Sequence, residues 1–408
     1  DGYVEHGFAE KTLEIFQQMQ HEGHSPNIVT FVCGFRACAS LGAIVEGQEM
    51  HMELVRKGLE QDSTAGNTLV FMYANLGLLD TSCRLFDKLQ VQDVISWNAL
   101  ITGYMKHNHN KEALSCYERM QIDGVFPDAI TFACILKACG DLKAISKGQE
   151  IHIETEKRGL SQSGTPVGNS LVEMYAKFGY FDIARKVFDK LQNRDVVSWT
   201  LLLSRYVDHG YPEEAIKCFE QMQYELLSPD SMTFACILRA CGSIGEIEKG
   251  KEIHDEIVRK SLLGEDSVLW NALIDMYAKC GVLGKAQVVL KQLYVRDIIS
   301  WNALIAGYAQ HEHGEEALNC FIHIQREGLS PNEITFTCIL KACGSIGAIE
   351  KGKQIHNEIV TRGLLQKNVV LGTALVDMYA KCSRIAKAQE VLDNLPCRDI
   401  ISWNALLA

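Results

Sequence analysis

No apolar run in the 408 residues approaches the roughly 18–20 that a membrane-spanning helix requires, so a transmembrane helix is excluded. Only seven prolines punctuate the chain. Positive charge is also scarce: 40 Lys and Arg stand against 51 Asp and Glu, a formal charge of −11. With a pI near 5.7, that balance argues at first against a nucleic-acid partner. No two cysteines form a Cys-x-x-Cys motif. Fifteen are present, and several (Cys134, Cys236, Cys338) lie inside apolar helical patterns. They are expected to be reduced thiols of an intracellular or organellar protein rather than a disulfide scaffold. No signal or transit peptide is visible at the start. The chain opens and closes within helical patterns, as a piece of a longer protein would. What is present, 47% hydrophobic and 22% charged residues, suffices for a packed interior and is too much for a disordered tail.

Internal repetition organises the rest. Ser-Trp recurs at Trp97, Trp199, Trp301 and Trp403, and Met-Tyr-Ala at Tyr73, Tyr175, Tyr277 and Tyr379, each 102 residues apart. Pro26, Pro127, Pro229 and Pro331 follow the same cycle with steps of 101, 102 and 102. Each period holds three smaller units. One of 35 residues occupies 94–128, 196–230 and 298–332. A 36-residue unit follows at 129–164, 231–266 and 333–368, with a 35-residue first copy at 28–62. A 31-residue unit closes the cycle at 63–93, 165–195, 267–297 and 369–399, and partial units fill 1–27 and 400–408.

Each unit reads as two helices. In 94–128, Trp97, Leu100, Ile101 and Tyr104 fall at helical spacing, and after a polar break Ala113, Leu114, Tyr117 and Met120 make a second stripe. Gly124 and Pro127 end that helix, and Asp128 is placed to cap the next. A helix pair this small cannot bury its own stripe, so neighbours must stack. The expected fold is all-α, a solenoid with a long concave surface. A period of 102 is three times the tetratricopeptide length of 34, but the units are unequal and that family's W-x-x-L-G-x-x-Y order is absent.

Val94-Ile-Ser-Trp-Asn-Ala-Leu-Ile-Thr-Gly-Tyr104, then Glu112-Ala-Leu-Ser-Cys-Tyr-Glu-Arg-Met120, then Gly124-Val-Phe-Pro-Asp128 resembles the pentatricopeptide repeat. The 35/36/31 alternation resembles its PLS subclass, with P, L and S units in turn, and the likeness covers essentially the whole chain. The resemblance implies a right-handed superhelix.

Two motifs that mimic active sites fail on context. His-x-Glu recurs at His51, His152, His254 and His356, always on the second helix of an L unit. A zinc deaminase also needs Pro-Cys-x-x-Cys, and the nearest match, Pro396-Cys397-Arg398-Asp399, has no second cysteine. A packing role is expected. Gly245 to Lys251 and Gly347 to Lys353 approach a phosphate-binding loop, but Glu252 and Gln354 replace the magnesium-holding Ser or Thr and no strand precedes them. Cysteines five apart, such as Cys134/Cys139, lie on different helical faces and make poor metal ligands. No catalytic residue, cofactor or metal site is expected in this chain.

A polar stripe remains. Ile95, Asn98, Thr102 and Lys106 share a face away from the Trp97 side. Val268, Asn271, Asp275 and Lys279 repeat it, as do Val370, Thr373, Asp377 and Lys381. Asn inside Ser-Trp-Asn-Ala-Leu is unusual for a helix interior. It is either a satisfied core amide or a side chain presented to a ligand. The resemblance implies the second: in pentatricopeptide proteins the fifth and last residues of a unit together select one RNA base, the second residue sandwiches it, and a thirteenth-position Lys approaches phosphate. The chemistry is coherent, because uracil and guanine offer a ring N–H to an Asp carboxylate, whereas cytosine and adenine offer a bare nitrogen to an Asn amide. Thr or Ser at the fifth position then favours purine, and Asn favours pyrimidine. Asp and Asn are also favoured helix N-caps, and one residue can do both jobs.

On that basis Asn67/Asp93, Asn98/Asp128, Asn169/Asp195 and Asn271/Asp297 read U. Thr200/Asp230 and Thr373/Asp399 read G, and Asn302/Asn332 reads C. Ile95, Val197, Val268, Ile299 and Val370 are the sandwiching residues, and Lys106, Lys177, Lys279 and Lys381 the phosphate lysines. Asp208 and Gln310 replace that Lys in two P units. Val32/Asp62, Ala133/Gly164 and Ala235/Asp266 lack a polar fifth residue and are assigned no base. Thr337/Asn368 would read A in a P unit, and Asn404 leans to a pyrimidine. With the family's parallel polarity, units 63–399 predict 5′-UUxUGxUC(A/x)G-3′. Acidic residues crowd the second helices (Glu213, Glu214, Glu220, Glu315, Glu316, Glu358) while the lysines lie on the first-helix stripe, so net charge does not describe the groove. Few phosphate contacts and a shallow salt dependence are expected.

The expected partner is single-stranded RNA, with no DNA and no membrane. PLS arrays resemble the targeting part of plant mitochondrial or chloroplast C-to-U editing factors. Helper proteins on the L units, and a deaminase in cis or trans, are implied partners. The alternative is a protein–protein scaffold of tetratricopeptide-like type.

Overall fold

The computed structural model describes residues 7–161, 166–264, 266–365, 368–398 and 400–407. Among them lie 24 helices, from Ala9–His21 to Ile400–Leu407, and no strand. The expected succession of helix pairs is present throughout, as an α-solenoid. The chain divides into two compact units, Asp1–Arg205 and Tyr206–Ala408, each built in the same way.

The cause of each helix start is visible in the caps. Most of the described first helices begin after an Asp or Asn whose side chain accepts the N–H three residues on. Asp93 takes the Ser96 amide at 2.9 Å, Asp128 that of Thr131 at 2.9 Å, and Asn332 that of Thr335 at 3.1 Å. A cap of this kind contributes about 1 kcal/mol. Second helices such as Ile44–Arg56 and Leu79–Lys88 start without a side-chain cap and are held by their apolar faces.

Packing follows a simple rule inside each compact unit. First helices of successive repeats pack side by side, and each second helix lies against its own first helix and the next. In the N-terminal unit Phe16, Phe31, Phe35, Met50, Leu54 and Tyr73 form one such continuous core across repeat boundaries. The Trp97 ring meets Phe86 of the preceding repeat edge-on at 4.4 Å, and Trp199 meets Phe188 likewise at 4.6 Å. Successive first helices come very close where glycine faces alanine. A Cβ on Gly103 would sit 2.3 Å from the Ala74 Cβ, and one on Gly307 would sit 2.6 Å from that of Ala278. That approach brings the polar stripe of one repeat within reach of the cap of the next.

Candidate functional site

In four repeats the fifth residue and the cap residue of the next first helix are bonded to each other. Asn67 Nδ2 donates to both Asp93 carboxylate oxygens at 3.2 Å, and Asn98 Nδ2 to both Asp128 oxygens at 3.0 Å. Asn271 Nδ2 reaches Asp297 at 3.5 Å, and Asn302 Nδ2 donates to Asn332 Oδ1 at 3.0 Å. Asn169 is not hydrogen-bonded to Asp195, whose carboxylate is taken by Ser198 through its amide at 2.8 Å and its hydroxyl at 2.5 Å. Thr200 is half-buried and Asp230 caps its helix through the Thr233 amide at 2.8 Å. Thr373 donates its hydroxyl to the Val369 carbonyl within its own helix. Asp399 and Gly164 lie outside the described residues.

In those four repeats the last residue therefore caps a helix and touches the fifth residue at once. Burial alone would raise the Asp128 carboxyl, but hydrogen bonds from the Thr131 backbone, Asn98 and the Thr131 hydroxyl outweigh it and hold the pKa below the ordinary carboxylate value. The Ser198 hydroxyl and amide do the same for Asp195. Both are acceptors at neutral pH. The asparagines are more buried than a surface stripe suggests: Asn67, Asn98 and Asn302 are 7–9% exposed, wedged between neighbouring first helices.

The second-position residues stand in the open. Ile95, Val197, Val268, Ile299 and Val370 are 52–66% exposed, an unusual degree for β-branched aliphatic side chains. The equivalent Val29, Ile130, Met232 and Ile334 of the 28–62, 129–164, 231–266 and 333–368 units are exposed as well.

The lysines are less free than their spacing suggests. Lys177 pairs with Asp141 at 2.6 Å and Glu173 at 3.0 Å, Lys279 with Asp275 at 2.7 Å, and Lys381 with Asp377 at 2.8 Å. Lys106 donates to Asn75 at 3.2 Å. Sequence reasoning passed over a second cationic column, four residues after the fifth position, at Arg36, Lys137, Arg239 and Lys341. It recurs at the repeat period. All four are exposed. Arg239 pairs with Asp208 at 2.9 Å, whereas Lys137 and Lys341 form no ion pair with any of the described residues.

The His-x-Glu motifs have a packing role. His51 Nδ1 is bonded to the Tyr73 hydroxyl at 3.0 Å, and the pairs His152–Tyr175, His254–Tyr277 and His356–Tyr379 repeat this at 2.8–2.9 Å. Each pins a second helix to the next first helix. Gly245 is a left-handed C-cap ending Ser231–Ile244, and from Ile247 the glycine-containing stretch is already the first turn of the helix Ile247–Arg259, not a phosphate loop. The fifteen cysteines are free thiols, and burial pushes Cys38 up to about 11 and Cys241 up to about 12.

Comparison with known proteins bears on the fold and family. Family models described as "PPR repeat family" match residues 92–141, 194–243 and 296–345, and those described as "PPR repeat" match 1–24, 169–196, 232–262, 268–298 and 334–364. A mitochondrial pentatricopeptide repeat-containing protein of Arabidopsis thaliana is 31% identical over 398 residues, covering 97% of this chain and 71% of that protein. This chain belongs to the pentatricopeptide repeat family. A chloroplastic member from the same plant is 34% identical over 408 residues, all of this chain and 66% of its own length, and another is 33% identical with 46% covered. The chain thus spans about half to two thirds of the length of these curated relatives. Among solved structures, pentatricopeptide repeat protein PPR10 in complex with an 18-nucleotide psaJ RNA element matches over 98% of this chain and 63% of that one, at TM-score 0.69 and 19% identity. Pentatricopeptide repeat protein PPR10 from maize matches at TM-score 0.61, 18% identity, 99% of this chain and 64% of that chain. At those identities the likeness concerns the fold.

Proposed function

We propose that this pentatricopeptide repeat array binds single-stranded RNA in a sequence-specific manner, one base to each P or S unit, with 5′-UUxUGxUC(A/x)G-3′ as its target. The observation that carries this reading is the recurrent pair of fifth residue and cap, bonded at 3.0 Å in 94–128 and 298–332 with an exposed aliphatic side chain, Ile95 or Ile299, one turn before the fifth residue. The aliphatic residue offers a face for a base ring, and the pair offers a carboxylate or amide to its Watson–Crick edge. Relatives named as chloroplastic and mitochondrial pentatricopeptide proteins support an organellar setting, and the RNA named in the PPR10 complex supports the ligand class. The PLS order of units supports a role as the targeting part of an RNA-processing factor, C-to-U editing first among them. The chain itself supplies recognition, and a deaminase and helper proteins supply the rest.

The test is binding of the ten-nucleotide RNA 5′-UUAUGAUCAG-3′ against a scrambled RNA of equal composition. Each disrupted base contact should cost about 1–3 kcal/mol, so scrambling should remove measurable affinity. Equal binding of both RNAs refutes the code, and binding of an extended peptide in place of RNA favours the protein scaffold.

A further inference from the structure

The four fifth-position asparagines that are bonded to a cap residue, Asn67, Asn98, Asn271 and Asn302, fall into two kinds according to the type of unit next in the chain. Before an L unit, the amide oxygen is held: the single Thr131 hydroxyl proton lies between Asn98 Oδ1 at 2.6 Å and the more distant Asp128 Oδ1 at 3.0 Å, and that of Thr335 between Asn302 Oδ1 at 2.7 Å and Asn332 Oδ1 at 3.0 Å. Before a P unit it is not. Asn67 Oδ1 and Asn271 Oδ1 are buried with no hydrogen-bond partner among the described residues. The residue in the place of Thr131 is there a serine, and its hydroxyl turns elsewhere: Ser96 Oγ donates to the Asp93 carbonyl and Ser300 Oγ to that of Asp297, both at 2.8 Å.

We propose that Thr131 and Thr335, third residues of their L units, are specificity-determining positioning residues that fix the asparagine of the preceding P unit. The proposal rests on the RNA reading of the fifth position given above. In Asn98 the nitrogen faces the Asp128 carboxylate and the oxygen faces the Thr131 hydroxyl, so both ends of the amide are engaged. Turning the amide over would set its oxygen against a carboxylate that can only accept. One orientation survives, and the remaining N–H is presented to the base in a fixed direction. Asn67 and Asn271 have their nitrogen held but their oxygen unsatisfied, a state that a buried acceptor leaves only by gaining a donor. The L units 129–164 and 333–368 thereby sharpen the reading of the P unit before them.

The experiment uses the whole chain and three RNAs that differ at the second base: 5′-UUAUGAUCAG-3′, 5′-UGAUGAUCAG-3′ and 5′-UCAUGAUCAG-3′. Thr131→Val removes the hydroxyl and keeps the shape. The U-over-G ratio, which the asparagine sets, should fall roughly three- to tenfold, the range of one neutral hydrogen bond. The U-over-C ratio, which Asp128 sets, should hold. A merely structural role would weaken all three RNAs together. Ser96→Thr supplies the missing donor to Asn67 and should raise the pyrimidine-over-purine ratio at the first base by a similar factor. This second variant carries the test should Thr131→Val fail to fold. An unchanged U-over-G ratio in folded Thr131→Val, or an unchanged first-base ratio in folded Ser96→Thr, overturns the proposal and leaves RNA recognition standing. If the unaltered chain does not separate the three RNAs, the reading of the fifth position falls and the proposal falls with it.

Discussion

Asp128 performs two tasks that one substitution separates. Its carboxylate caps the helix Ala129–Leu142 through the Thr131 amide at 2.9 Å and holds the Asn98 amide at 3.0 Å. In Asp128→Asn the cap should survive, because Asn332 already makes the same contacts with the Thr335 amide at 3.1 Å and Asn302 at 3.0 Å. The loss is one negative charge at a helix N-terminus, about 0.3–1 kcal/mol. The gain is an N–H donor at the position that faced the base. The preferred second base should pass from U to C, with the ratio shifting roughly ten- to a hundredfold for a discrimination of 1–3 kcal/mol. Asp128→Ala removes both tasks: about 1 kcal/mol of capping is lost and the base preference with it. Urea unfolding reads the first quantity, and fluorescence anisotropy on RNAs varied at the second base reads the second. If Asp128→Asn is as unstable as Asp128→Ala, or still prefers U, the assignment of both roles to one carboxylate is wrong.

Other consequences are independent of that carboxylate. Gly103→Ala places a methyl 2.3 Å from the Ala74 Cβ and should lower unfolding stability by about 1–3 kcal/mol; a neutral result in urea would mean the helices part freely. Burial holds His51, His152, His254 and His356 below the ordinary value of 6.5, so the unfolded chain takes up protons first as pH falls. The stability these groups allow is full above pH 6.5 and declines as pH drops from there towards their lowered values. A variant with all four replaced by Gln should show a flatter dependence of the urea midpoint between pH 7.5 and 5.5. Lys137→Ala with Lys341→Ala should reduce the slope of log affinity against log salt by about 0.7 for each phosphate no longer neutralised, whereas Lys279→Ala, whose ammonium is already paired with Asp275, should leave it in place.

Periodicity carried most of the fold. The 102-residue cycle, the Trp97 and Tyr117 stripes and the Pro127-Asp128 punctuation place the helices without coordinates, because a helix pair of this size can bury its apolar stripes only by stacking. The coupling of Asn98 to Asp128 was legible as a pattern, and the bond between them gives it a physical basis. Three features were not legible. The near-complete burial of Asn67 depends on how closely Gly103 admits Ala74, which is a matter of helix separation rather than of residue type. The pairing of Lys177 with Asp141 depends on rotamers that spacing does not specify. The difference between Thr131 and Ser96 is one methyl group in sequence, yet the two hydroxyls point to different acceptors. The cationic column at Arg36, Lys137, Arg239 and Lys341 did leave a signal, since it follows the repeat period.

The central claim is that successive first helices read successive bases. Selection of bound RNAs from a random single-stranded pool tests it most directly. Enrichment of U, U, U, G, U, C and G at positions 1, 2, 4, 5, 7, 8 and 10 of a ten-nucleotide window, in that 5′-to-3′ order, is the predicted result. Enrichment of an unrelated motif, or recovery of a pool with no base preference, contradicts it.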